Sequence, residues 1–264
     1  MTLVSSELPT TAAPIATGNA LELEAVTRTF GALRAIEDVS FSVAAGERRA
    51  VIGANGAGKT TLFNVITGDF PATSGRVRFF GQDITEVPAY DRIRMGLRRT
   101  YQSSLLFRNL TVWDNLFLAV RGVSRGRFDF RRPGPAHPSR LATDELLERV
   151  RLQSIARRLV SNLSHGQQRQ LEIGMALAGA PRLILFDEPA AGLSPPERRE
   201  LVALLRALPA HIGYILIEHD LDIALRVVEQ VTVMHNGRVL KHGTPQEIES
   251  DAEVAAIYMG GGRQ

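Results

Sequence analysis

Gly53-Ala54-Asn55-Gly56-Ala57-Gly58-Lys59-Thr60, with Thr61 behind it, fits G-x-x-x-x-G-K-[ST], a spacing suited to cradling a polyphosphate. Backbone N–H groups must approach the anion closely, so side chains have to be absent where the chain wraps it, hence Gly53, Gly56 and Gly58. The loop must also open a helix whose first N–H groups and dipole favour negative charge. Lys59 is then set to reach the β- and γ-phosphates, and the Thr60 hydroxyl to ligate Mg²⁺. Hydrolysis at such a loop needs three further groups: a carboxylate directed at the metal, a base for water and a sensor of the γ-phosphate. Asp187 can hold Mg²⁺ through water, Glu188 can accept the attacking water's proton, and the His219 imidazole can donate to a terminal oxygen. Asp-Glu-Pro after a strand is also a common turn, and a lone histidine is often an ordinary surface or core residue. Their order behind a phosphate loop is what points to nucleotide hydrolysis.

The elements that must position these groups are legible around them. Arg49-Ala50-Val51-Ile52 reads as a short buried strand entering the loop, and Thr61 to Ile66 as the helix leaving it. Leu183-Ile184-Leu185-Phe186 and Tyr214-Ile215-Leu216-Ile217 are continuous apolar runs, the mark of strands covered on both faces. They deliver Asp187-Glu188 and Glu218-His219 at their C-terminal ends, where ligands of open parallel sheets gather. Upstream, Leu21, Leu23 and Ala25, then Val39, Phe41 and Val43, alternate with polar residues, so two or three antiparallel strands precede the loop. Gly75 breaks the chain before Val77-Arg78-Phe79-Phe80, and residues 88–96 read as helical. Ser164 with Gln167, Ser194 with Glu197 and Thr244 with Glu247 are capping boxes that start helices. Asn236-Gly237 is a hairpin turn.

The chain has 264 residues, 44% hydrophobic and 22% charged, with a net charge of +3 and no cysteine. This is the composition of a globular α/β protein. The charge is too mild to argue for nucleic acid. The absence of cysteine removes disulfides and Cys-ligated zinc. No apolar run approaches the ~20 residues of a membrane span. Residues 1–20 lack the features of a signal peptide and read as a disordered tail. Residues 121–140 hold six arginines against Asp129, with three prolines and three glycines, and read as an exposed insert.

From about residue 21 to 259 the sequence resembles the ATP-binding-cassette (ABC) ATPases. The piece that carries the resemblance is Leu163-Ser164-His165-Gly166-Gln167, which looks like that family's Leu-Ser-Gly-Gly-Gln signature. The resemblance implies an ABC-type P-loop ATPase fold over residues 21–260: a mixed core sheet with flanking helices, an N-terminal antiparallel β part and a helical subdomain over about 103–180. It implies ATP and Mg²⁺ as cofactors and a head-to-tail dimer. One subunit's phosphate loop would then face the other's signature helix, where Ser164, Gly166 and Gln167 reach the γ-phosphate. Gln102 matches a loop glutamine that touches Mg²⁺ and water and links to a transmembrane permease. Phe30 matches the aromatic that stacks on adenine, although an aromatic at a strand end suits the core as well. His165 stands where glycine is usual, which matters if φ must be positive. Ser194 stands where many members have aspartate.

The subgroup most similar is that of branched-chain amino-acid and urea-type importers, through Arg99 to Gln102, Gln167 to Ile173, Asp187 to Ser194, Ile217 to Leu221 and the ending Val254 to Gly260. It implies a peripheral ATPase on the cytoplasmic face of the inner membrane, partnered by permease subunits and indirectly by a solute-binding protein. A lipopolysaccharide-type exporter ATPase would share all this chemistry. A soluble non-transport cassette would usually carry two cassettes or a long coiled-coil insertion.

Overall fold

The computed structural model describes residues 18–101, 105–123, 134 and 136–260. In chain order the elements are β1 (Asn19–Phe30), β2 (Leu33–Ala44), β3 (Arg48–Ile52), α1 (Lys59–Thr67), β4 (Ser74–Phe79), β5 (Gln82–Asp83), α2 (Ala89–Arg94) and β6 (Leu97–Arg99). They continue with α3 (Val112–Val123), α4 (Pro138–Arg149), α5 (His165–Ala176), β7 (Leu183–Asp187), α6 (Pro195–Arg206) and β8 (Gly213–Ile217). The last are α7 (Leu221–Val227), β9 (Gln230–His235), β10 (Arg238–Gly243), α8 (Pro245–Glu249) and α9 (Ala252–Gly260).

A six-stranded sheet runs β10-β9-β3-β8-β7-β6, and a four-stranded antiparallel sheet runs β2-β1-β4-β5. In the larger sheet β6, β7, β8, β3 and β9 are parallel to their neighbours and β10 alone is antiparallel. The C-terminal ends of β3, β7 and β8 therefore open on one edge, bringing together residues 130 positions apart in sequence, from the phosphate loop to Glu188. The apolar runs of β3, β7 and β8 split by side-chain alternation. Ala50, Ile52, Ile184, Phe186, Tyr214 and Leu216 join the core under α3 to α7. Val51, Leu183, Leu185, Ile215 and Ile217 join a second core with α1 and the antiparallel sheet. Two covered faces explain why these strands show no polar alternation.

Three expectations need correction and one becomes definite. Strand β1 starts at Asn19, not Leu21: Ala20 is fully buried and its carbonyl accepts from Phe80 N at 2.9 Å. Only residues 1–17 of the expected tail lie outside the described residues. Gly75 lies inside β4 rather than breaking the chain before it. Its φ is +87°, and a Cβ there would stand 2.3 Å from the Ala25 carbonyl oxygen, so glycine permits a close backbone approach at a bulge. The antiparallel strands expected before the loop are two, β1 and β2, and β3 belongs to the parallel sheet. Finally, the insert is shorter than 121–140: α3 runs through Val123 and α4 begins at Pro138. Its middle, 124–133 and 135, lies outside the described residues.

Candidate nucleotide site

Strand β3 delivers the loop and α1 leaves it. Three positive-φ glycines shape the turn, for different reasons. A Cβ on Gly53 would lie 2.3 Å from the Met234 carbonyl oxygen, and one on Gly58 2.6 Å from that of Ala35. Gly56 has φ +80° and open space on its Cβ side, so it leaves the loop's inner wall bare toward the cleft. Hairpin turn Asn236-Gly237 braces the loop, with Gly237 N donating to Ala57 O at 3.2 Å and Glu37 N to Gly237 O at 2.8 Å. Helix α1 has Gly58 as its N-cap, which offers no side chain to cap it. Lys59 is only 6% exposed, and its Nζ donates to Gly53 O at 2.7 Å and Ala54 O at 3.0 Å. Burial lowers its pKa, opposed by the charges of Glu188 and Asp187. The cleft above the loop encloses about 630 Å³ and is lined by Asn55 to Thr61, by Leu33 to Ala35, by Glu188 and His219, and by the Asn236-Gly237 turn.

Asp187 closes β7 at 1% exposure. Its Oδ2 accepts from Arg99 Nη2 at 2.7 Å, while Oδ1 is buried with no hydrogen-bond partner. Burial raises its pKa, and Arg99 opposes that shift. An acidic oxygen left orphaned beside a phosphate loop suits a hydrated cation, so the residues present fit Mg²⁺ bound with Thr60. Arg99, a residue the sequence reading gave no role, is the brace: it also meets Asn64 Oδ1, and Asp69 Oδ2 at 3.1 Å.

Glu188 follows with φ +49°, a strained setting for a residue with a Cβ, held by its N–H on Ile217 O at 2.9 Å. His219 Nε2 and Glu188 Oε1 lie 2.6 Å apart. The strain turns the carboxylate into the cleft beside the imidazole, so the expected base and sensor are adjacent. Beneath them is Glu218, 3% exposed, another role not foreseen. Its Oε1 accepts from Ala190 N at 2.6 Å and its Oε2 from His219 N at 3.2 Å, tying the ends of β7 and β8 together. Burial raises its pKa against those backbone donors.

The signature residues sit on a separate surface. Ser164 is the N-cap of α5, exchanging hydrogen bonds with Gln167: Gln167 N to Ser164 Oγ at 3.2 Å, and Ser164 N to Gln167 Oε1 at 3.1 Å. Ser164, Gly166 and Gln167 line a cleft of about 420 Å³ with Arg151, Gln170, Glu197 and Glu200. His165 opens α5 without positive φ, so its departure from glycine costs no backbone strain. Its ring lies over Gly192, where a Cβ would stand 2.8 Å from Cε1. Ser194 is the N-cap of α6.

Two expected residues are not found at the site. Gln102 lies outside the described residues. Phe30 is 39% exposed, with its ring edge-on to Phe70 at 5.5 Å and the Arg28 guanidinium 4.5 Å from its centroid. It is not among the residues lining the loop cleft, where Leu33, 66% exposed, is the large apolar side chain instead.

A family model described as ABC transporter matches residues 36–191, more than half of the chain. The chain therefore belongs to the ABC transporter family, as an ATP-binding cassette that hydrolyses ATP. Among characterised relatives it is similar to the high-affinity branched-chain amino acid transport ATP-binding protein BraF of Pseudomonas aeruginosa, 36% identical over 248 residues, covering 91% of this chain and 97% of that protein. It is also similar to the high-affinity branched-chain amino acid transport ATP-binding protein LivG of Escherichia coli K12, 36% identical over 250 residues, covering 91% of this chain and 97% of that protein. Among solved structures it matches the ADP conformation of MJ1267, an ATP-binding cassette of an ABC transporter, with TM-score 0.82 and 34% identity, covering 92% of this chain and 100% of that one.

Proposed function

We propose that two cassettes, two copies of this chain or this chain and a similar one, close face to face on two Mg·ATP and drive a transmembrane permease pair between its two accesses. The carrying observation is that, among the described residues, none lining the phosphate-loop cleft also lines the cleft at the α5 N-terminus. One chain thus bears two half-sites on separate surfaces, and a second chain completes each. The loop's bare N–H groups and Lys59 bind the triphosphate in one chain. Ser164 and the α5 N–H groups of the other reach its γ-phosphate. Mg²⁺, held by Thr60 and Asp187 with Gln102 as a further ligand, would supply positive charge to the phosphate oxygens. Glu188 takes the proton of the attacking water, and His219, 2.6 Å from it, donates to the γ-phosphate. Closure is driven by binding energy at the sandwich, and hydrolysis reopens it.

BraF and LivG support a branched-chain amino acid or similar small polar solute as cargo, and a solute-binding protein is the indirect partner proposed to deliver it. No described helix is long and apolar enough to cross a membrane, which suits a peripheral subunit docked on a permease at the cytoplasmic face of the inner membrane. The test of the sandwich is sedimentation of the Glu188→Gln chain with Mg·ATP. A dimer is expected with ATP and a monomer with ADP. A monomer under both nucleotides, at high concentration and with the permease present, would overturn the reading.

A further inference from the structure

The N-terminus of α5 already carries an anion of the chain's own. Glu197, at the third position of α6, divides its carboxylate between two helices. Oε2 accepts from Ser194 N at 2.9 Å and Ser194 Oγ at 2.8 Å, the cap of its own helix. Oε1 crosses to α5 and accepts from Gly166 N at 2.9 Å and Ser164 Oγ at 3.2 Å. Gly166 is glycine for this contact, because a Cβ there would stand 2.5 Å from Glu197 Oε1. The donors of Ser194 first, then Gly166 and Ser164, pull the Glu197 carboxyl down to about 2, so it stays ionised throughout the physiological range. The same junction is pinned a second time by the His165 ring over Gly192.

Ser164 Oγ–H and Gly166 N–H are two of the donors the sandwich assigns to the partner's γ-phosphate. Each has one hydrogen to give, and a carboxylate and a phosphate oxygen repel each other at that range. We propose that Glu197 is a built-in stand-in for the incoming γ-phosphate: its Oε1 holds these donors in the open cassette and withdraws from them when closure brings the phosphate in. The contact of Oε2 with Ser194 lets the α6 cap persist while Oε1 lets go. Glu197 acts on the nucleotide only through Ser164 and Gly166, so it is a positioning residue. It sets the ATP concentration needed for closure, and leaves binding at the chain's own phosphate loop unaffected, since it does not line that cleft.

This inference rests on the sandwich reading, and the test separates the two. The full-length Glu188→Gln chain is the reference. Two quantities are read: the ATP concentration for half-maximal dimerisation by sedimentation, and ATP affinity at protein concentrations too low to dimerise. Adding Glu197→Gln removes the charge at constant length. The half-maximal ATP concentration is expected to fall about fivefold or more, a typical size for a coupling between sites, with dilute affinity unchanged. Glu197→Asp keeps the charge and the α6 cap but is too short to reach α5, and is expected to shift the midpoint the same way even if the amide variant folds poorly. A folded variant whose ATP requirement is unchanged or higher would make the bridge merely structural and overturn the proposal. A reference chain that never dimerises overturns the sandwich itself, and this inference with it.

Discussion

Helices α1 and α5 both point an N-terminus at a cleft, and they are finished in opposite ways. Helix α1 begins after a glycine that cannot cap it and keeps a buried cation, Lys59, at its first position. Helix α5 begins at a serine already paired with Gln167, and a carboxylate from α6 accepts from Gly166 N and Ser164 Oγ there. The orphan donors of a helix start are thus left available in one place and mostly taken in the other, where Ser164 N, Gly166 N and Gln167 N each have a side-chain acceptor. The difference teaches an order of events. The bare terminus with a cation binds polyphosphate unaided, whereas the saturated one engages only when a partner's phosphate competes with what is already there.

The largest expected effect tests the chemistry at the bare terminus. Glu188→Gln should lower kcat by roughly 10²- to 10⁴-fold, the usual worth of a general base, while ATP still binds. Steady-state turnover beside equilibrium binding checks this, and near-normal turnover would remove Glu188 from the role of base. Next, Lys59→Ala should weaken nucleotide binding by ~2–5 kcal/mol, as expected when one member of a buried charge pair is truncated. Calorimetric titration reads it directly, and wild-type affinity would erase the contrast between the termini. Ser164→Ala should leave the affinity of the dilute chain untouched yet reduce ATPase activity about tenfold or more, the scale of a hydrogen bond to a charged group. A matching loss of dilute affinity would mean Ser164 belongs to the chain's own loop site.

The smallest effect concerns the support beneath the base. Burial raises the pKa of Glu218, so the folded state favours its protonated form. At low pH, below the unfolded value, both states are protonated and burial costs little. As pH rises through the folded value, ionisation is penalised in the folded state and stability falls. Glu218→Gln removes the ionisation but leaves one acceptor oxygen, so it serves Ala190 N or His219 N and not both. The lost hydrogen bond is a constant offset, and the variant's melting temperature relative to wild type should therefore climb as pH rises, on a scale where ~1 kcal/mol corresponds to about 2–4 °C. A melting difference independent of pH would show that Glu218 is not held against its charge.

Which parts were legible in the sequence follows from how local each signal is. The phosphate loop, the three capping boxes at Ser164, Ser194 and Thr244, and the Asn236-Gly237 hairpin are set by residues within a few positions of one another, and all formed as expected. The doubly covered strands β7 and β8 announced themselves by unbroken apolar runs. What escaped was long-range pairing. Glu197 looked like the end of a capping box, and nothing local shows its second contact, 31 residues away on Gly166. Arg99 was visible, but its partners Asp69 and Asp187 lie 30 and 88 residues off. Glu218 gave no hint that its carboxylate turns inward onto Ala190. Ala20, being small, left no mark in the alternation, so β1 starts two residues earlier than Leu21 suggested, and the backbone demand at Gly75 appears only once Ala25 is beside it.

The most direct test of the account mixes two crippled chains. Lys59→Ala spoils the phosphate loop and keeps α5 intact, whereas Ser164→Ala does the reverse. Each alone should hydrolyse ATP poorly. If a site is built from one chain's loop and the other chain's α5, the mixture contains pairs with one complete site, and its ATPase activity should rise well above the sum of the two separate chains. Activity that merely adds, with mixed pairs shown to form, would contradict the shared site and leave each chain to bind and hydrolyse nucleotide by itself.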